Sequence, residues 1–580
     1  MRLDFNQKYY RLRRFLKSTD FSKALLLGSA ITFPIIIGSY LDSFNFGLAL
    51  ALGALLCSSS DVNGSPRHKN IGIILSAIIV VIVSLIGGYL NFNTWLFIPV
   101  LGILTFAISY LAVFGFRASL IAFSGLFAIV LSFADPGDDI EIYQRAILMG
   151  AGGLVYLVIS MLHQYFSPRK QTDQYLALTL ELTGKYLETR GKLIDGNSDR
   201  PLLQGKLIEL QTELNEKHEV LRDILISARK NSGNSTYQRK RLLLFIQLVD
   251  ILELAMAHPV NYEKMDRLME MDRRPLESFQ KLIFKMGTTL EQLSSDLIYN
   301  KISPITTDLK DQLKLIYTDI DKFKAHSQSY LDEGLIMLQN LYDYQEKQAQ
   351  NILKIQQLLI DSEKGEIGKI RNEEITQFIT PQEFDPKTLL ENFSLDSVIF
   401  RHSLRLTVVL VIGYIIGEYF ELQNAYWILL TIIVIMRPSY GLTKTRSKQR
   451  TAGTVIGAAI AIGIVFLTQN PVIYAVLSVT TLITAFAMVQ KNYKTSAIFV
   501  TLSVVFIYAL LEPNVLEVIQ YRVIDTLIGA ALATIGNIFI WPSWGFIGIK
   551  AVIAESIEAN KNYLKEVNNF YINKGKVPTS

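Results

Sequence analysis

WILLTIIVIMRPSYGLTKTRSKQRTAGTVIG, residues 427–457, carries the two signals that decide the fold. Trp427 to Met436 is apolar but for Thr431, and five cations follow, Arg437, Lys444, Arg446, Lys448 and Arg450. A second apolar run then opens at Thr451, with Gly453 and Gly457 among its first residues. Lys and Arg collect on the cytoplasmic loops of membrane proteins. The stretch therefore reads as two membrane spans joined by an inside loop.

Working outward, the same alternation covers most of the chain. A span needs roughly 20 apolar residues. Apolar runs stand at 24–41, 46–57, 71–90, 95–112, 115–133 and 144–163, and again at 403–420, 425–436, 451–467, 471–489, 496–511 and 520–541. Loops expected inside carry Arg67, His68, Lys69, Arg117, Arg169 and Lys170, then the 437–450 cations, then Lys491 and Lys494. Loops expected outside carry Asp42, then Asp135, Asp138, Asp139 and Glu141, then Glu418 and Glu421, then Glu512 and Glu517. Basic and acidic loops alternate as a topology with both termini inside demands. The composition agrees: half of the 580 residues are hydrophobic and the mean hydropathy is +0.29, high for a soluble chain of this length. A net charge of +5 is too small to indicate nucleic-acid binding. The lone cysteine, Cys57, excludes an intrachain disulfide and reads as a small buried hydrophobe. Seven cations precede the first run, but no small-residue cleavage site follows, so that run reads as a retained span.

Six runs in each half bring both halves in from the same side, which makes them parallel repeats about an axis along the membrane normal. Two pairs of segments match. Arg145 is followed by Gly152 as Arg522 is by Gly529, and Lys69-Asn-Ile-Gly72 aligns with Arg450-Thr-Ala-Gly453. Between the halves the character changes. Leu207, Leu210, Leu214, Leu221 and Leu225 recur at helical spacing among charges, the pattern of amphipathic helices that pack as a bundle. Breakers fall at 233–235, Pro259, Pro304 and Pro381. The expected organisation is an all-α polytopic membrane protein. It has a cytoplasmic segment 1–23, a six-span repeat 24–165, a cytoplasmic helical domain 168–395, a second six-span repeat 396–545 and a short cytoplasmic tail 546–580.

Two six-span halves around a helical domain, together with the 427–457 segment and Arg522, Asp525, Thr526, Gly529 and Trp541-Pro542, resemble the fusaric acid resistance (FUSC) family, in particular its YccS/YhfK-like branch. The resemblance covers essentially the whole chain. One departure is the short tail after Pro542, where relatives often carry a second cytoplasmic segment. The resemblance implies a bacterial inner (plasma) membrane location, membrane transport and commonly efflux of aromatic carboxylic acids. A distant similarity to plant malate channels keeps a channel reading open. The expected partners are the bilayer, a small organic anion and a second copy in a homodimer, with no nucleic acid and no cofactor.

Several residues are candidates for that work. Arg437, Lys444, Arg446 and Arg450 either gather an organic anion at the cytoplasmic mouth or simply hold their loop inside against anionic lipid. The second run of each half is short, Phe46–Cys57 and Tyr426–Met436, which points to helices ending within the membrane beside a substrate; Ser58–Asp61 and Arg437–Ser439 would then lie near membrane depth. A tilted helix with an ordinary loop fits equally. Arg145 and Arg522 open the sixth span of each half, on the side where cations are scarce. Ionisable groups inside a span are candidates for function because burying them is costly. Asp525 is the candidate for proton coupling, with a local Arg522–Asp525 pair at i,i+3 as the bland alternative. No phosphate-binding loop, H-E-x-x-H or cysteine cluster is present. The expected protein is a transporter or channel and not an enzyme, with a membrane-anchored scaffold for envelope maintenance as its rival.

Overall fold

The computed structural model describes residues 15–62, 66–90, 94–132, 140–167, 169–196, 198–232, 236–257, 261–268, 273–299, 301, 304, 308–326, 333–360, 385–422, 426–511, 514–542 and 545–572, and among these there is no strand. The breakers expected at 233–235, Pro259 and Pro381, and the acids Asp135, Asp138, Asp139 and Glu512, lie outside the described residues. By internal contact the chain divides into two units, residues 1–62, 69–162 and 382–580, and residues 63–68 with 163–381.

In the first unit every apolar run is a helix. The first six are α1 Thr19–Tyr40, α2 Phe44–Ser58, α3 Pro66–Leu90, α4 Thr94–Tyr110, α5 Phe116–Ser132 and α6 Ile142–Phe166. Nine helices among the described residues are long and apolar enough to cross a membrane, and α2, α5 and Tyr426–Ile435 are shorter apolar helices. This is a polytopic membrane protein. Helix starts follow local chemistry: Ser18 accepts from the Phe21 N–H at 3.2 Å and caps α1. The turn after α1 closes with Ser43 N–H donating to Gly38 O at 2.8 Å, with Asp42 at φ 52°. This six-residue closure ends the helix without a glycine in the left-handed position.

The second unit holds α7 Lys170–Lys192, α8 Arg200–Ser232, α9 Thr236–Ala257, α10 Tyr262–Leu268, α11 Arg274–Tyr299, α12 Asp308–His326 and α13 Glu333–Ile360. The leucine stripe read from the sequence is its core: Leu210, Leu214, Leu221 and Leu225 are buried, and Leu207 packs against them. Gly184, whose Gly-Lys pair has no phosphate loop around it, has a packing role. A Cβ on it would meet Gly287 O at 2.8 Å, so it sets how closely α7 crosses α11.

His218 lies edge-on to Phe245, with ring centroids 5.5 Å apart, and its buried Nε2 has no hydrogen-bond partner. Burial holds its pKa down at about 4, against about 6.5 in the unfolded chain. Between those values the unfolded state takes a proton that the folded state refuses. This unit therefore loses stability as the pH falls from 6.5 towards 4 and is unaffected above. The expected loss is about 1–2 kcal/mol, reduced from the full shift because the ring is partly exposed. Hydrogen exchange of α8 and α9 peptides at pH 7 and pH 5 reads it, and His218→Leu flattens the difference. Equal pH sensitivity in the variant removes His218 as the cause.

The chain returns to the first unit with α14 Lys387–Glu391, α15 Val398–Tyr419, α16 Tyr426–Ile435, α17 Tyr440–Leu467, α18 Pro471–Met488, α19 Tyr493–Leu511, α20 Val515–Phe539 and α21 Gly545–Ile572. The turn after α15 is built like that after α1: Leu422 N–H donates to Gly417 O at 3.0 Å, with Glu421 at φ 49°. Packing between the halves is reciprocal, α1 against α18 and α4 against α15. In the second contact the Phe97 and Tyr414 rings lie 5.1 Å apart.

One boundary differs from the sequence reading. The stretch 437–450 is not a loop: α17 begins at Tyr440, so Lys444, Arg446, Lys448 and Arg450 stand on its first three turns. Charge ends an apolar run but not a helix, since Lys, Arg and Gln are good helix formers. Thr443 fastens the start. Arg437 N–H donates to its Oγ1 at 3.0 Å, and its hydroxyl reaches Ser439 O at 3.1 Å.

Candidate functional site

Two helices of the second half, α20 and α17, place buried charges together beside aromatic side chains of α16 and α19. On α20, Arg522, Asp525, Thr526 and Gly529 are all buried on one face, at the i, i+3, i+4, i+7 spacing of a helix stripe. Gly529 presses this face onto α16, where a Cβ would meet Ile428 O at 2.9 Å. The close crossing puts Arg522 beside the start of α16, with its guanidinium carbon 4.9 Å from the centre of the Trp427 ring. Trp427 meets Tyr508 of α19 edge-on at 5.4 Å, and the Tyr508 and Tyr426 hydroxyls bond at 2.6 Å. Arg450 of α17 is within electrostatic reach of Arg522.

Exposure is 4% for Arg522, 1% for Asp525 and 6% for Arg450. Arg522 Nε, Arg450 Nε and Asp525 Oδ2 are each buried without a hydrogen-bond partner. Among the described residues no ion pair within 4.0 Å joins Arg522 to Asp525 or engages Arg450. The local i,i+3 pair expected from the sequence is therefore not formed, because the long Arg522 side chain turns onto the indole face instead. A desolvated cation over Trp gains about 2 kcal/mol, which does not offset removing a guanidinium from water. Two cations against one acid leave this region with a formal excess of one positive charge. Its chemistry fits an anion with an aromatic face.

The remaining cations do not join this site. Arg437 is half-buried, 5.9 Å from the centre of the Phe123 ring, and Arg446 lies 4.1 Å from that of Tyr493. Lys444 and Lys448 are exposed. Arg145 sits in the first half, where its Nη2 donates to Leu131 O at 3.1 Å. Among the described residues no group of three or more His, Cys, Asp or Glu is arranged for a metal ion.

Two features escaped the sequence. Arg405, fully buried in α15, donates to Trp541 O at 3.0 Å and to Pro438 O at 3.1 Å, so it pins the Arg437–Ser439 bend to the end of α20. The signal was an arginine inside an apolar run. The second is the setting of Asp61, in the turn after α2, which lies against Lys23, Lys69 and Tyr156. Burial opposes its charge, but the two lysines outweigh burial and hold its carboxyl at about 2.

Residues 72–357 match the family described as FUSC-like inner membrane protein yccS, and residues 411–536 match the fusaric acid resistance protein-like family. The chain is 24% identical over 477 residues to an uncharacterized protein of Haemophilus influenzae, covering 81% of this chain and 65% of that protein. It is 27% identical over 548 residues to the inner membrane protein YccS of Escherichia coli, covering 91% of this chain and 73% of YccS. It is also 20% identical over 161 residues to aluminum-activated malate transporter 2 of Arabidopsis thaliana, covering 26% of this chain and 32% of the plant protein. The chain thus spans about two thirds to three quarters of the length of the bacterial relatives named here.

Proposed function

The chain belongs to the fusaric acid resistance-like family of inner-membrane proteins, and from that premise we propose that it moves organic anions, aromatic carboxylates among them, outward across the bacterial inner membrane. The observation that carries this reading is the pair of buried guanidiniums, Arg522 and Arg450, which share one nearby carboxylate, Asp525, and close no ion pair with it. Trp427 and Tyr508 beside Arg522 favour an anion with a flat face. The plant relative named for malate transport favours carboxylate chemistry. The matched turns at Asp42 and Glu421, and the reciprocal packing of α1 with α18 and α4 with α15, support reading the halves as parallel repeats around a shared path. Transport is ion-coupled or channel-like.

Reconstituted protein tests the proposal. Vesicles loaded with benzoate should release it faster than protein-free vesicles, and release of an uncharged benzyl alcohol should be unchanged by the protein. Equal benzoate release from both vesicle types rejects the reading. The exposed cations of α17 enter as collectors of substrate. Lys444→Gln with Lys448→Gln is expected to slow benzoate transport a few-fold at low salt and little at high salt, because screening already suppresses distant attraction there. A loss independent of salt would assign them a contact role instead.

Orientation follows from the loop charges, with both termini and residues 168–395 cytoplasmic. Reporter fusions at Asp138 and Ser235 should report opposite sides. The same side for both overturns the span count. One observation favours a scaffold reading: the unit of residues 163–381 has its own large core. A scaffold predicts that a protein with Arg522 and Arg450 neutralised still complements a deletion.

A further inference from the structure

The first half contains a buried charge cluster that the proposed pathway leaves unused. The Asp61 side chain is 1% exposed. Its Oδ1 accepts from Lys23 Nζ of α1 at 2.8 Å. Its Oδ2 accepts from the Tyr156 hydroxyl at 2.8 Å and the Ser160 hydroxyl at 3.4 Å, both on α6, and lies 3.1 Å from Lys69 Nζ of α3. Three helices far apart in sequence thus converge on one carboxylate, which a short turn delivers. Considered without Asp61, the donors are two ammoniums, a phenol and an alcohol. That set matches a carboxylate in charge, in donor number and in the absence of competing acceptors.

The repeat sharpens the point. Lys69 and Arg450 occupy aligned positions, each three residues before a glycine, Gly72 and Gly453. Lys69 has a carboxylate beside it, while Arg450 has none among the described residues. One half brings its own acid to a position where the other half has a bare cation.

We propose that Lys23, Lys69, Tyr156 and Ser160 form a carboxylate-binding site which Asp61 fills as a tethered ligand, and that a small organic carboxylate takes its place when Asp61 is removed. The site rests on the organic-anion reading only for the class of ligand that would compete in the cell. With Asp61 seated, the first half is closed to such anions and the second half is the one available to them.

The test reads binding and not transport, so it can fail while the transport reading stands, and the reverse. Full-length protein in detergent is melted with sodium benzoate, sodium acetate or sodium chloride at equal ionic strength. Asp61→Gly vacates the site and leaves two buried ammoniums without a counter-ion, so its melting temperature should fall by several degrees. Benzoate and acetate should restore part of it in a dose-dependent way, as a ligand that binds only the folded state does. Chloride should not. Neither carboxylate should shift the wild type, whose site is filled, nor the triple variant Asp61→Gly, Lys23→Met, Lys69→Met, whose donors are gone. If Asp61→Gly does not fold, Asp61→Gly with Lys23→Met retains the Lys69 ammonium, and the same comparison decides. The proposal is overturned if carboxylates shift the variant no more than chloride does, or shift the triple variant equally.

Discussion

Gly152→Ala is expected to cost most of the folded yield of the protein, and Gly152→Val all of it. A Cβ at Gly152 would lie 1.9 Å from Leu50 O, and one at Gly53 would lie 1.8 Å from Met149 O. Each glycine of the α2–α6 crossing thus faces the other helix's backbone, and no rotamer change can relieve the clash. The two helices would have to part, in a medium where helices associate through close packing and not through a hydrophobic drive. Overpacking typically costs about 1–3 kcal/mol where side chains can adjust, and here only backbone can move, so the cost lies at or above that range. Size-exclusion yield and melting temperature of the full-length protein measure it. Gly463→Ala is the control, since a Cβ there meets nothing within 4 Å. A Gly152→Ala protein that melts with the wild type would mean that α2 and α6 do not cross as described.

Arg522→Gln is expected to leave the protein folded and to reduce organic-anion transport by one to two orders of magnitude. A hydrogen bond from a charged donor contributes about 1.5–3 kcal/mol, which corresponds to roughly 10- to 150-fold. Arg522→Lys should recover only part, because an ammonium keeps the charge but lacks the planar fork that engages a carboxylate. Since no close ion pair joins Arg522 and Asp525, Asp525→Asn should not destabilise the protein by stranding the arginine. If Asp525 carries the coupled proton, that variant transports without pH dependence. A stable Asp525→Asn protein with an unchanged pH profile ends the coupling idea. Unchanged transport by a folded Arg522→Gln protein ends the anion role of the α20 stripe.

The apolar helices were legible in the sequence because a span must be long, apolar and flanked by the right charges, all of which are local properties. The start of α17 was not. Hydropathy marks where polar side chains begin, and Tyr440 to Arg450 are polar yet helical. Burial of Arg522, Asp525 and Arg450 was legible for the first two from their position inside a run. Arg450 looked like a loop cation, and only the packing of α17 against α19 and α20 encloses it. The Arg522–Asp525 pair failed for a geometric reason. Spacing of three residues brings two Cβ atoms near each other, but the guanidinium lies several bonds further out and meets whichever neighbour the fold supplies, here Trp427. Asp61 and its lysines are separated by 38 and 8 positions, on helices whose juxtaposition no local pattern encodes.

Arg405 also sets an order of events in the making of the chain. Its partner Trp541 follows 136 positions later, so at bacterial elongation rates of about 5–20 residues per second the ribosome needs roughly 7–27 seconds to deliver it. During that interval a guanidinium already threaded into the bilayer region lacks its most distal acceptor. A chain that stalls or is cut before position 541 leaves Arg405 with the Arg437 and Pro438 carbonyls alone. The bend at Arg437–Ser439 is therefore tied to the residue just past α20 only after the whole of the second repeat has been made.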